Sequence, residues 1–334
     1  RGRPPRGFAL AGSTPSWMLE SVTRRRILDL AWPIVLANSA VSLLGLVDTA
    51  VMGHLEHPRY LAAVAIGATV FSFLFMGLNF LRMGTTGLAA QAHGAGDGDA
   101  LRSVLGQALL IAAVLAVALL ILQRPVGDLA FRLLGPAPEV LGPAWTYYSV
   151  RIWAAPAALA NFALIGWFIG LQNARIPLLI VVTTNSVNIA LDLLFVLVFD
   201  MQVAGVATAS VLAETCGSLI GAAFVVRELR RYDGRWRPET LTRPRAYAPF
   251  FAINANLFIR TIALVSTLTF VTAQGARLGG LVLAANAVLM NLQNLIAFVL
   301  DSIAHAAEAL VGNAIGANSR QTVDSSVRLT LRWS

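Results

Sequence analysis

Lysine is absent from the 334 residues, cysteine occurs once and charged side chains make up only 13%. An average soluble domain is about 25% charged, so this chain has too little charge to clothe a water-facing surface of its size. With Cys216 alone, no internal disulfide or cysteine-rich metal site can form. Also missing are a Ser-His-Asp grouping, a nucleophile elbow, a Walker-type phosphate loop and a paired-histidine haem site, which removes the usual supports for a hydrolase or an ATP-driven pump. Arginine supplies all 25 basic residues, and the net charge is +8. In a soluble chain a pI near 10.8 would point to nucleic acid. Here the arginines lie between apolar segments, where they act as topology signals, and no nucleic-acid partner is expected.

What the chain has in quantity is apolar sequence: 57% hydrophobic residues and a mean hydropathy of +0.70. Crossing a hydrocarbon core takes about 20 apolar residues as helix. Eight such stretches are read at 28–52, 60–82, 103–123, 144–171, 174–199, 203–226, 249–275 and 279–312. The fold class is therefore all-α, a polytopic helical membrane protein. The second and eighth stretches run on into small and polar residues such as Gly84-Thr85-Thr86-Gly87. Gly94-Ala95-Gly96-Asp97-Gly98 and Gly135-Pro136-Ala137-Pro138 fall between spans; the first has no preceding strand, so it reads as a turn and not a nucleotide loop. Counting across alternate connections puts seventeen arginines on one side, the clusters Arg24-Arg25-Arg26 and 227–245 among them, and only Arg59, Arg124, Arg132 and Arg277 on the other. Short cytoplasmic loops retain positive charge, which places the N-terminus in the cytoplasm and the protein in the plasma (inner) membrane.

The sequence repeats itself. A shift of 222 positions aligns 53–95 with 275–317, with 10 identities in 43, among them Gly53/Gly275, Leu61-Ala62-Ala63/Leu283-Ala284-Ala285, Gly94/Gly316 and Ala95/Ala317. Six spans separate the copies, an even number, so both share one orientation and are related by an axis along the membrane normal. The division that follows is a basic cytoplasmic segment at 1–26, a six-helix lobe at 27–248 and the beginning of a second lobe at 249–334. The chain thus reads as part of a longer protein, eight of twelve expected spans, with Met18 as a candidate start.

Ionisable groups inside lipid are costly and mark solvated pathways or paired sites. On the fifth span Thr184, Asn188 and Asp192 are four apart and share a helix face, with Asn185 beside them. A carboxylate flanked by carboxamide and hydroxyl oxygens can take up H⁺ or Na⁺, while Asn and Thr alone also join transmembrane helices. Asp48 lies toward the outer end of the first span, as a second ion-site acid or an interfacial one. Ser210 and Glu214, four apart on the sixth, suit the same polar centre; pairing with an arginine is the other reading of Glu214. Asp301, His305 and Glu308 at i, i+4 and i+7 form a further face, expected to line the interior and pair with Arg260 or Arg82. Arg151 is the remaining intramembrane base. A di-metal site needs Glu-x-x-His motifs on partner helices, and none is present, so no metal and no resident cofactor are expected. His54, Glu56 and His57 are read as a solvated turn as readily as a metal cluster.

These segments are together similar to a known family. Trp32-Pro33 and Val47–Leu55, Phe80–Gln91, Gly166–Arg175, Asn188–Asp192 and Gly275–Gly279 resemble the multidrug and toxic compound extrusion (MATE) family, in its branch of DNA-damage-inducible protein F. The resemblance implies a twelve-helix transporter of two six-helix lobes that exports organic compounds in exchange for H⁺ or Na⁺. Its substrates would be small, cationic or amphipathic, and it would act as a monomer. It implies an ion site at Asp48, Asn188 and Asp192, with Ser210 at the place of a sixth-helix hydroxyl and Asn161 from the fourth helix. Where that branch carries Asn-Arg-Asp, this chain reads Asn254-Ala255-Asn256, losing both charges while keeping Arg260, so ion coupling is expected to rest on Asp48 and Asp192. A lipid-linked precursor flippase of the same superfamily, or a membrane-embedded enzyme using Asp301, His305 and Glu308, are the alternatives.

Overall fold

The computed structural model describes residues 24–53, 57–243 and 280–332, with isolated positions between 247 and 270. In chain order these form α1 (Arg24–Gly53), α2 (Pro58–Leu78), α3 (Phe80–Gly94), α4 (Gly98–Ile121), α5 (Gln123–Leu134), α6 (Pro138–Arg151), α7 (Ala155–Gly170), α8 (Arg175–Asp192), α9 (Gln202–Leu229), α10 (Pro238–Thr242), α11 (Gly280–Gly316) and α12 (Arg320–Leu331). No strand occurs among the described residues. Among the described residues, five stretches of helix are long and apolar enough to cross a membrane: Pro58–Gly94, Gly98–Ile121, Pro138–Gly170, Arg175–Val198 and Gln202–Leu229. They correspond to the second to sixth spans of the sequence, while α1 and α11 occupy the first and eighth. The seventh span, with Asn254-Ala255-Asn256, lies almost wholly outside the described residues, as do 1–23.

Two spans are broken in ways that local chemistry explains. Between α6 and α7 a 3₁₀ turn, Ile152–Ala154, precedes Pro156. Proline has no N–H to offer the carbonyl four residues back, so the Ile152 carbonyl accepts from the N–H of Ala155 instead. Between α2 and α3 the Asn79 N–H bonds to the Met76 carbonyl, a tight turn that bends one long span into two helices. After Asp192 the backbone widens to a π-helix over Leu193–Val198, closed by Phe199 N–H to Leu194 C=O. Such bulges concentrate at functional sites.

The helices turn their polar side inward. Leu133, Leu219, Val198 and Ile121 stand out at 78%, 68%, 68% and 72% exposure, as expected of a surface solvated by lipid. The centre of the packing is α7, which lies against α3, α4 and α9. Its Trp167 is fully buried, and the indole N–H donates to the Leu101 carbonyl at 3.1 Å, satisfying the one polar atom of the ring. At the end of the bundle holding the basic stretch, Arg102 is buried and donates to the carbonyls of Gly98, Leu229 and Tyr232, so the arginine read as a topology signal also ties α4 to the last turn of α9.

The internal repeat is visible atom by atom. Where α3 ends, Ala95 N–H bonds Gln91 C=O, Gly96 bonds His93, Asp97 bonds Ala92 and Leu101 bonds Asp97; where α11 ends, Ala317 bonds Asn313, Asn318 bonds Ile315, Ser319 bonds Ala314 and Val323 bonds Ser319. Every pair differs by 222, since 317 − 95 = 323 − 101 = 222. Gly96 and Asn318 hold the equivalent left-handed position, with φ of 66° and 54°, and Asp97 and Ser319 N-cap the helix that follows. The two corners also touch each other reciprocally. A Cβ on Gly94 would stand 1.9 Å from the Asn313 carbonyl oxygen, and one on Gly316 would stand 1.9 Å from that of Gln91, the residue 222 before Asn313. Reciprocal contact of this kind is the signature of a two-fold axis. Contacts advance together along both helices (Arg82 to His305, Gly87 to Glu308, Ala90 to Gly312), so α3 and α11 run parallel and the local axis lies along them.

Candidate functional site

On α8 the predicted polar face is turned inward. Asp192 is 0% exposed, Asn188 4% and Asn185 8%, with Thr184 half-buried, while Val182 and Leu179 point outward. Asp192 ends the α-helical part of the span, at the threshold of the π-helical segment. Across from Thr184, α9 carries Gly217, and a Cβ there would lie 2.1 Å from the Thr184 hydroxyl and 3.4 Å from the Asn161 amide nitrogen. The missing side chain is what lets α7, α8 and α9 bring their polar groups together.

Asn161 of α7 donates to the Glu214 carboxylate at 2.7 Å and to the Glu214 backbone carbonyl at 3.1 Å. Glu214 is thus held by an amide, with the Arg151 charge acting on it as well. These residues border a cavity of about 190 Å³ whose polar wall is Asn38, Arg82, Asn161, Thr184, Asn185 and Glu214, with Phe75 and Phe162 on the apolar side. Several buried polar atoms at this centre have no hydrogen-bond partner among the described residues: Asn161 Oδ1, Thr184 Oγ1, Asn185 Nδ2 and Asn188 Nδ2. Native interiors leave few such atoms. A carboxylate, neutral oxygens with spare lone pairs and an apolar surround form a place that can accept a proton or a small hard cation.

Ser210 belongs to a neighbouring cluster. Arg151 donates to its hydroxyl at 2.8 Å and to the Tyr147 hydroxyl at 2.7 Å, and the guanidinium lies over the rings of Phe71 and Tyr147. The i, i+4 spacing of Tyr147 and Arg151 was available in the sequence; their link to Ser210, 59 positions away, was not. Asp48 lies on α1, and its side chain falls outside the described residues.

The third face divides. His305 and Glu308 turn toward α3, where an Arg82 guanidinium nitrogen lies 3.0 Å from His305 Nε2 and the Glu308 carboxylate 3.6 Å from His305 Nδ1. Asp301, a turn earlier, is exposed, and so is Arg260. The expected three-residue stripe therefore divides by exposure: His305 and Glu308 are turned in against α3, while Asp301 is exposed yet still acts on the Arg82 charge. The close packing of α11 on α3 aims positions 305, 308 and 312 at α3.

With that geometry in place, comparison with known proteins is informative. The MatE family model matches residues 33–194, from Pro33 in α1 through the inward face of α8. The chain is 43% identical over 295 residues to DNA damage-inducible protein F of Escherichia coli (strain K12), spanning 86% of this chain and 63% of that protein. It is 28% identical over 309 residues to multidrug resistance protein PmpM of Pseudomonas aeruginosa, spanning 88% of this chain and 62% of that one. The chain thus spans about three-fifths of the length of these relatives. Among solved structures, a MATE crystal structure in the bent conformation superposes with a TM-score of 0.85 at 21% identity, over 93% of this chain and 69% of that one. Another, in complex with MaD5, gives 0.83 at 21% identity over 92% and 70%. These relatives are named for induction by DNA damage and for multidrug resistance, and neither name is that of an enzyme. On its sequence and its helical fold, the chain is similar to the MATE family.

Proposed function

We propose that the protein exports small organic compounds, cationic or amphipathic in character, in exchange for H⁺ or Na⁺, by alternating access between two six-helix lobes, of which residues 27–248 form the first. The observation that carries this reading is the complete burial of Asp192 next to Asn188, at the point where α8 leaves α-helical geometry. A carboxylate in that position is stabilised by a bound cation or neutralised by a proton, and either event removes a negative charge from the lobe interior. A lobe that packs differently with and without that charge couples ion binding to its own rearrangement. Asp48, Asn188 and Asp192 would form the ion site, with Asn161, Thr184 and Glu214 at the cavity farther along the lobe interior and Ser210, whose hydroxyl accepts from Arg151, in the neighbouring cluster. The arginine asymmetry supports a cytoplasmic N-terminus in the inner membrane, and the transporter would act as a monomer.

The test is the protein in liposomes loaded with an amphipathic cationic dye, with a pH gradient or a sodium gradient imposed separately. Dye movement that follows one of the two gradients and stops when that gradient is collapsed supports the proposal. Movement indifferent to both overturns it.

A further inference from the structure

The contact between the two repeats has a polar part at the edge of the cavity, where Arg82 also lines the wall. Arg82 of α3 and His305 of α11 meet at 3.0 Å inside the bundle, with His305 at 5% exposure. Arginine has only donors, so His305 Nε2 accepts, and the ring proton sits on Nδ1, facing Glu308 at 3.6 Å. Glu308 in turn lies against α3 where Gly87 leaves room, its Oε1 3.5 Å from where a Cβ would stand. Beyond it comes the tight seam of Gly94 on Asn313 and Gly316 on Gln91. The bridge therefore sits at one end of a zipper of small residues joining the first repeat to the second.

We propose that Arg82, His305 and Glu308 form a proton-released latch that holds α3 and α11 together and opens this seam when His305 takes a second proton. The added proton, delivered from water, would sit on Nε2, the atom that accepts from Arg82. The acceptor is then gone, and an imidazolium faces a guanidinium across a hydrogen-bond distance in a poorly solvated interior, where like charges repel strongly. The helices separate to relieve it. The opposite ring nitrogen, Nδ1, has no hydrogen-bond partner among the described residues, and the Glu308 carboxylate lies 3.6 Å away on that side of the ring. From the elements packed against α11, α3 contributes Arg82 and, at the far end of the seam, His93, whose Nδ1 meets Asn313 at 2.7 Å. From α1, Asn38 bonds Ser302 at 3.3 Å; its acids are Asp29 and Asp48. Helix α7 holds no titratable side chain, and α12 carries Arg320, Asp324 and Arg328 beyond the turn after Gly316. Asp301 is the remaining acid on α11 and is exposed. Arg82, His305 and Glu308 are positioning residues in this scheme, and the latch is independent of what is carried.

The test uses a cysteine at Ala90, fully buried and facing Gly312, in a Cys216→Ala background. Its labelling rate by a small thiol reagent in membrane vesicles is normalised to that of an exposed cysteine at Gln321. The latch predicts slow labelling at neutral pH that accelerates as the pH falls. His305→Ala should label roughly tenfold faster or more at every pH, the factor that follows from losing one charge-assisted hydrogen bond. His305→Gln, whose carboxamide oxygen can accept from Arg82 and does not titrate, should label slowly at every pH. A normalised wild-type rate that does not change with pH, a His305→Gln profile that matches the wild type, or a His305→Ala rate as slow as the wild type at neutral pH each overturns the proposal. No transported compound enters the assay, so its failure leaves the export reading standing.

Discussion

Replacing Gly94 with alanine puts one methyl group into the seam between the repeats. The new carbon would lie 1.9 Å from the Asn313 carbonyl oxygen, 2.7 Å from its carbon and 2.9 Å from its Cα. Non-bonded heavy atoms settle near 3.5 Å, so α3 and α11 must part by roughly 1.5 Å at this crossing. The struck atoms are backbone, with no rotamer to yield, and overpacking of this kind costs about 1–3 kcal/mol. Gly316→Ala should cost the same, because it strikes the Gln91 carbonyl at the matching 1.9 Å. Both clashes sit at one crossing, so the separation that relieves the first relieves part of the second. The double variant should therefore fall short of the sum, by about 0.5 kcal/mol or more. Gly142→Ala is the control: it lies within α6 with nothing within 4 Å, and alanine there, just before Pro143, should change stability by no more than about 0.5 kcal/mol. Thermal unfolding in detergent, followed by tryptophan fluorescence, ranks the four proteins. Equal midpoints for Gly94→Ala and Gly142→Ala, or strict additivity at the seam, would refute the reciprocal packing.

Three further outcomes follow from single side chains. Arg102→Met removes two bonds to backbone carbonyls at the end of α9 and one to Gly98 of its own helix and should cost about 2–4 kcal/mol by the same unfolding assay, with Arg102→Lys recovering only part. Glu214→Leu leaves the Asn161 amide without its 2.7 Å acceptor and should destabilise by about 1–3 kcal/mol, whereas Glu214→Gln keeps an acceptor and should stay within about 1 kcal/mol of the wild type. Burial, reinforced by the nearby Glu228 carboxylate, pushes the Tyr232 phenol up to about 12 from an ordinary 10.0. Since the folded pKa is the higher, the stabilisation is complete below about pH 10 and is lost as the pH climbs toward about 12. Unfolding midpoints measured across that window should fall less steeply in Tyr232→Phe.

The long hydropathic spans and the 222-residue offset were legible because both are local or periodic: hydrophobicity is a sum over neighbours, and the helix corners need a left-handed residue at Gly96 and Asn318 and a cap at Asp97 and Ser319. The inward face of α8 was legible for the same reason, since Thr184, Asn188 and Asp192 recur with the helical period. Partners between helices were not. Nothing near Asn161 in sequence announces Glu214. The α11 stripe was expected to meet Arg82 or Arg260, but spacing alone could not say that His305 would touch Arg82 and that Asp301 would be the exposed member. The π-helical segment after Asp192 leaves no mark in a run of apolar residues, and Arg102 shows that an arginine counted toward topology can also be a buried structural tie.

The central claim is that the buried carboxylate of α8 couples an ion to export, and Asp192→Asn tests it most directly. Asparagine keeps the shape and removes the charge that a proton or cation would answer. In liposomes with the driving gradient imposed, the account predicts a variant that inserts and folds like the wild type but no longer moves dye in response to the gradient. Gradient-driven efflux by Asp192→Asn at the wild-type rate would contradict it.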